Sequence, residues 1–235
     1  MLVEICVSSI EDVKTVDASK ADRIELCSTM EVIGVTPSLG MYLLAKEITD
    51  KPLVVMLRPR AGFYNYSDLE FEVMKRDLKM FYDYGAREFV FGICDENGEI
   101  DVERCDMLMR SVPNDCKFTY HKAFDYVNDK QVGIKQLIDL GFNRVLTSGG
   151  LGSTNEYLDD LKNLIDEYKD EIEIIVGGGV RHDNIEVIHS KLNHDVYHLS
   201  AKHLAGNQMQ HIETDEKHLS MFMEKLQRID MKVDV

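Results

Sequence analysis

The segment Thr119-Tyr-His-Lys-Ala-Phe-Asp125 places His121, Lys122 and Asp125 where an apolar run gives out. An imidazole there has the chemistry of a general acid/base, with Asp125 as the carboxylate that would orient it. A second pattern occurs twice, as Glu4-Ile-Cys6 and as Glu25-Leu-Cys27. Residues i and i+2 of a strand share a face, so each repeat sets a carboxylate beside a thiol. Neighbouring parallel strands lie ~4.8 Å apart, which brings Cys6 and Cys27 within joint reach of one soft metal ion. Two thiolates suit Cu(I); the alternative is that both are small apolar packers.

Glutamates on an interior face need a partner or a function. Glu25 therefore joins His121 and Asp125 in the candidate catalytic set. Leu53-Val-Val-Met-Leu-Arg-Pro-Arg60 delivers Arg58 and Arg60 to the same region. A guanidinium there either pairs with Glu25 or grips an anionic ligand bidentately. Ser148 in Thr147-Ser-Gly-Gly150, and Gly177, Gly178 and Gly179 ahead of Arg181, offer hydroxyl and backbone N–H donors to an anion. His198, which shares one face of Val196-Tyr-His-Leu-Ser200 with Ser200, joins the candidate anion-binding set. Cys94 falls at a strand end, whereas Cys105 and Cys116 read as core. His182, His189, His194, His203, His211 and His218 read as surface groups.

The elements that must hold these residues alternate strictly. Strands are predicted at 2–7, 22–27, 52–58, 88–93, 116–121, 144–147, 171–176 and 195–200. Helical spacing of apolar residues marks 9–18, 39–48, 69–84, 102–109, 132–140, 157–168 and 184–190. Gly85 and Gly141 suit helix C-caps, and Asp101 and Asp183 suit N-caps. Eight βα units predict a parallel sheet closed into a single-domain (β/α)₈ TIM barrel, with an open doubly wound sheet as the alternative. A long loop after Lys202 and a closing helix at 219–226 complete one domain over 1–235.

Composition narrows the partners. A net charge of -15 argues against nucleic acid and anionic membrane surfaces. No run approaches the apolar length of a membrane span. Met1-Leu-Val-Glu-Ile-Cys6 lacks a basic region followed by an apolar stretch, so no secretory signal is expected. Five cysteines at irregular spacing point to free thiols in a reducing cytoplasm. There is no GxGxxG, GKS/T, HExxH or GxSxG motif.

Laid end to end, these segments resemble the CutC family of copper homeostasis proteins. The carriers are Val3-Glu-Ile-Cys-Val7, Ala21-Asp-Arg-Ile-Glu-Leu-Cys-Ser28, Gly34-Val-Thr-Pro-Ser38, Met56-Leu-Arg-Pro-Arg60, Glu70-Phe-Glu-Val-Met74, His121-Lys-Ala-Phe-Asp125, Val145-Leu-Thr-Ser-Gly-Gly150, Gly177-Gly-Gly-Val-Arg181 and His198-Leu-Ser-Ala201. The resemblance implies a cytoplasmic (β/α)₈ barrel, a homo-oligomer (dimer or tetramer), that handles copper, with Cys6 and Cys27 as Cu(I) ligands. Two segments depart from the family pattern: Ile33-Gly34-Val35 replaces a Gly-Gly-Leu run, and Tyr120 and Lys122 replace Phe and Arg. Lys122 keeps the charge but loses the planar fork. The remaining polar groups suit a different function, an enzyme acting on a small anionic substrate with His121 as general acid/base.

Overall fold

The computed structural model describes residues 1–205 and 211–233, with side-chain detail for 1–201 and 214–231. Eight parallel strands form a closed barrel. They are β1 (Leu2–Val7), β2 (Arg23–Leu26), β3 (Leu53–Met56), β4 (Glu88–Phe91), β5 (Lys117–Tyr120), β6 (Arg144–Thr147), β7 (Glu173–Gly177) and β8 (Val196–Leu199). Closure is explicit in the register, where β8 returns to β1 with Val196 beside Leu2 and Tyr197 beside Val3. The open-sheet alternative is excluded.

The helices are α1 (Ile10–Asp17), α2 (Leu39–Ile48), α3 (Asp68–Asp83), α4 (Val102–Met109), α5 (Lys130–Leu140), α6 (Leu158–Tyr168), α7 (Ile185–Leu192) and α8 (Glu216–Val233). Their starts follow the local chemistry. Ser9 and Ser67 make capping boxes with Asp12 and Glu70, and Asp101 accepts from the Arg104 amide as predicted. Asp183 does not cap α7: Asn184 holds that position, and the Asp183 carboxylate meets Arg181 at 3.2 Å. Gly141 ends α5 at φ +85°, the left-handed conformation that favours glycine. The stretch expected as a loop after Lys202 instead forms an antiparallel hairpin, Lys202–Ala205 with His211–Thr214. It is tied to α1 by the Thr214 amide donating to Asp12 Oδ1 at 2.6 Å.

Outward-facing Ile5, Ile24, Val55, Phe89, Tyr120, Val145 and Ile174 are buried beneath the helices in one continuous core. Complete burial of such a side chain contributes roughly 1.5–3 kcal/mol, and this layer fixes which face of each strand is left for the interior. The N-terminal end of that interior is filled by charge. Arg23 Nε donates to Glu4 Oε2 at 2.5 Å and its Nη2 to Glu173 Oε1 at 3.1 Å. Across the barrel Arg144 pairs with Glu88 at 2.5 Å and approaches Glu173 at 3.6 Å. Charges this deep are tolerable only when paired.

Candidate functional site

The strands open at their C-terminal ends into a cavity of about 530 Å³, lined among others by Cys6, Glu25, Met30, His121, Lys122 and His198. The sulfur groups sit on the β1–β2–β3 side. Cys6 Sγ lies 3.6 Å from Cys27 Sγ and 3.9 Å from Met30 Sδ. Cys6, Cys27, Met30 and Met56 share one buried cluster with Val54 and Val90. Cys27 is fully buried, directs its thiol at the Val7 carbonyl at 3.3 Å and does not reach the cavity wall. The cluster is tight. A Cβ at Gly34, where φ is +81°, would sit 2.9 Å from Met56 Sδ and 3.1 Å from Cys27 Sγ. The hydrogen bond with Cys27, followed by burial, pushes the Cys6 thiol well above its ordinary range, so a metal must displace a firmly held proton.

Beside the sulfurs runs a carboxylate–imidazole–carboxylate line. His198 Nδ1 donates to Glu4 Oε1 at 2.7 Å, and His198 Nε2 lies 4.0 Å from Glu25 Oε1. Burial by itself would raise Glu4, but the hydrogen bond from His198 and the charge of Arg23 outweigh it and bring the carboxyl down to about 2. Burial dominates at Glu25 and pushes it up. Burial lowers His198, yet the two carboxylates outweigh that and raise it. Glu25 Oε2 is buried and has no hydrogen-bond partner.

The other predicted residues divide sharply. His121 is buried on the cavity wall, but Asp125 does not orient it. The Ala123 amide donates to His121 Nδ1 at 3.1 Å, which leaves the proton on Nε2, a buried atom without a partner. Burial and the nearby Arg58 charge lower its pKa to about 3, so at neutral pH the ring is neutral and carries its proton on Nε2. The ring proton shifts of His121, assigned with a His121→Asn variant, should stay constant from pH 8 to 4.5 by NMR. A midpoint near 6.5 would contradict this assignment.

Asp125 is committed elsewhere. It accepts from Thr147 Oγ1 at 2.5 Å, from Ser148 Oγ at 2.7 Å and from the Ser148 amide at 3.2 Å, with Lys122 Nζ at 3.4 Å. Ser148 is thereby consumed as a brace. Neither arginine pairs with Glu25, and both spend their terminal nitrogens on other partners. Arg58 spends Nη1 on the Val32 and Gly34 carbonyls, at 2.7 and 2.6 Å, and Nη2 on Gly62 at 2.9 Å. Arg60 lies outside the cavity and pairs with Glu70 at 2.5 Å. Gly178 and Gly179 line the cavity, whereas Gly177 does not. At Gly178, with φ at +98°, a Cβ would meet Lys122 Nζ at 2.5 Å.

Sequence reasoning missed Met30, Arg23 and a pair of histidines. His182 and His218, expected on the surface, line the cavity with rings stacked at 5.0 Å. The side chains of His203 and His211 lie outside the described residues. Met30 stands on a short 3₁₀ turn between β2 and α2, a placement no periodicity announces. Arg23 had a signal, since it shares a strand face with Glu25 by the alternation rule. Among the described residues no helix is long and apolar enough to cross a membrane.

Comparison with known proteins places this geometry. A human protein named copper homeostasis protein cutC homolog is 41% identical over 201 residues, covering 86% of this chain and 73% of its own length. A family protein CutC from Glaesserella parasuis is 38% identical, covering 86% and 83%. A solved structure of Streptococcus agalactiae, described as a copper homeostasis protein CutC, superimposes with a TM-score of 0.81 at 31% identity, covering 85% of this chain and 98% of that one. Phosphoribosylanthranilate isomerase from Pyrococcus furiosus, at TM-score 0.60 and 14% identity, shares the barrel alone. The CutC family profile matches residues 1–203, and this chain belongs to the CutC family of copper homeostasis proteins.

Proposed function

We propose that the protein binds Cu(I) in the cytoplasm through Cys6 and Cys27, with copper as cargo. The observation that carries this reading is the 3.6 Å separation of the two sulfurs at the edge of the cavity. Thiolates are soft ligands and select Cu(I) over the hard cations. Met30 Sδ, 3.9 Å from Cys6, supplies a third soft donor without adding charge. Binding requires both thiols to lose their protons, so affinity rises with pH. All five cysteines are free thiols, which supports a reducing compartment.

Anaerobic titration against a chromophoric Cu(I) chelator should saturate at about one ion per chain. Cys6→Ser combined with Cys27→Ser should abolish the competition, and Met30→Leu should weaken it about tenfold, the scale of one supporting contact at a metal centre. Unchanged affinity in the double variant sinks the proposal.

One observation favours a second reading, a small anionic ligand in the same cavity. His121 Nε2 is a buried donor without a partner, and Lys122 Nζ stands beside Gly178 at the wall. That arrangement suits an oxyanion better than a metal.

A further inference from the structure

Cys6 belongs to a second donor set that does not involve Cys27. Cys6 Sγ, a Glu25 oxygen and a His198 ring nitrogen all lie within 4.8 Å of one another. Around a tetrahedral ion with bonds of about 2.0–2.3 Å, ligand atoms stand roughly 3.3–3.7 Å apart. With separations of at most 4.8 Å, the three donors need to close by no more than about 1.5 Å.

Two independent observations point to a ligand here. Glu25, only 2% exposed, is one of the residues lining the cavity, and its Oε2 is buried with no hydrogen-bond partner. A buried carboxylate oxygen left unmet is costly unless something binds it. The second observation is the support of His198. Its Nδ1 donates to Glu4 at 2.7 Å, and Glu4 is fixed in turn by Arg23 at 2.5 Å. A carboxylate behind one ring nitrogen fixes the tautomer and aims the other as a lone pair, the usual backing of a metal-bound histidine. The 4.0 Å from Nε2 to Glu25 Oε1 is too long for a hydrogen bond and suits two ligands of one ion.

Donor chemistry and charge select the cation. One sulfur, one nitrogen and one oxygen form a borderline set suited to Zn²⁺ rather than to Cu(I). One thiolate and one carboxylate cancel a divalent charge, whereas they would leave a monovalent ion with net negative charge in a buried site. We propose that Cys6, Glu25 and His198 form a three-ligand site for Zn²⁺, with Glu4 as the positioning residue and the fourth coordination position facing the cavity. Three protein ligands with one open position are the pattern of catalytic rather than structural zinc. The site shares Cys6 with the copper reading but uses neither Cys27 nor Met30.

Chelator competition with Zn²⁺ and, separately, Cu(I) on the full chain tests it. Glu25→Gln and His198→Gln should each weaken Zn²⁺ by at least about 100-fold, beyond the 10–100-fold typical of second-sphere changes, and leave Cu(I) binding intact. Cys27→Ser should do the reverse. Should a site variant fail to fold, Co²⁺ loaded into the wild type and into Cys27→Ser gives an independent reading. Both should show intense four-coordinate absorption with a thiolate charge-transfer band. Zinc affinity unchanged by Glu25→Gln and His198→Gln overturns the proposal, as does a Co²⁺ band that vanishes in Cys27→Ser. Cu(I) affinity indifferent to Cys27→Ser, with the zinc pattern intact, overturns the copper reading alone.

Discussion

Replacing Arg23 with methionine lowers the unfolding free energy of the metal-free protein by about 3–5 kcal/mol, the range for breaking one partner out of a buried ion pair. For a chain of this length that is a fall of roughly 10 °C in Tm. The magnitude follows from what is stranded. Glu4, 1% exposed, keeps only His198, and Glu173 loses its 3.1 Å contact. Removing both charges, as Arg23→Met with Glu4→Gln, recovers part of the loss, because two neutral groups demand less than one bare ion. The same pair sets an acid limb. Glu4 is depressed from 4.5 to about 2 in the folded chain, so its contribution is complete above pH 4.5 and disappears as pH falls from 4.5 towards 2. That difference amounts to about 3 kcal/mol. Glu25 has the opposite sign, since its raised value costs stability as pH climbs past 4.5. Thermal unfolding from pH 7 to 3 should therefore show a steep acid loss in the wild type and a shallower one in Glu4→Gln. Identical slopes would contradict the assignment.

The second large effect is expected at Asp125→Ala. The carboxylate accepts two hydroxyls and an amide from Thr147 and Ser148, all buried, and joins the loop after β5 to the end of β6. Deleting it leaves three donors unmet and costs about 3–5 kcal/mol. Asp125→Asn keeps the shape and some of the acceptors, so its loss is smaller. Hydrogen exchange separates this from general destabilisation: the Ser148 amide should accelerate more than amides in the middle of β3. Uniform acceleration would mean that Asp125 is not a local brace.

The barrel was legible because its signal is repeated. Short β-rich apolar runs recur eight times, in alternation with helix-period segments. The bounds of β6, α2 and α4 agree to the residue. The Cys6–Cys27 juxtaposition was legible for the same reason, since side-chain direction and strand spacing are both fixed by the backbone. What depended on loops was not. Arg58 points into the barrel mouth as expected, yet its two terminal nitrogens are taken up by the carbonyls of Val32, Gly34 and Gly62, which curl over it in a path no strand rule specifies. Met30 joins the sulfur cluster through a turn that opens with Thr29 at φ 55°. The state of His121 depends on a single amide two residues on, and charge patterning says nothing about that.

The ion pairs of Arg23, Glu4, Glu173, Arg144 and Glu88 make the barrel a cup and not a tube. Anything held by Cys6 must arrive and depart through one rim, formed by the loops that follow the strands. For copper carried as proposed, uptake and release would share that doorway. A recipient that takes the cargo directly has to sit over that rim, and while it sits there no new cargo can enter.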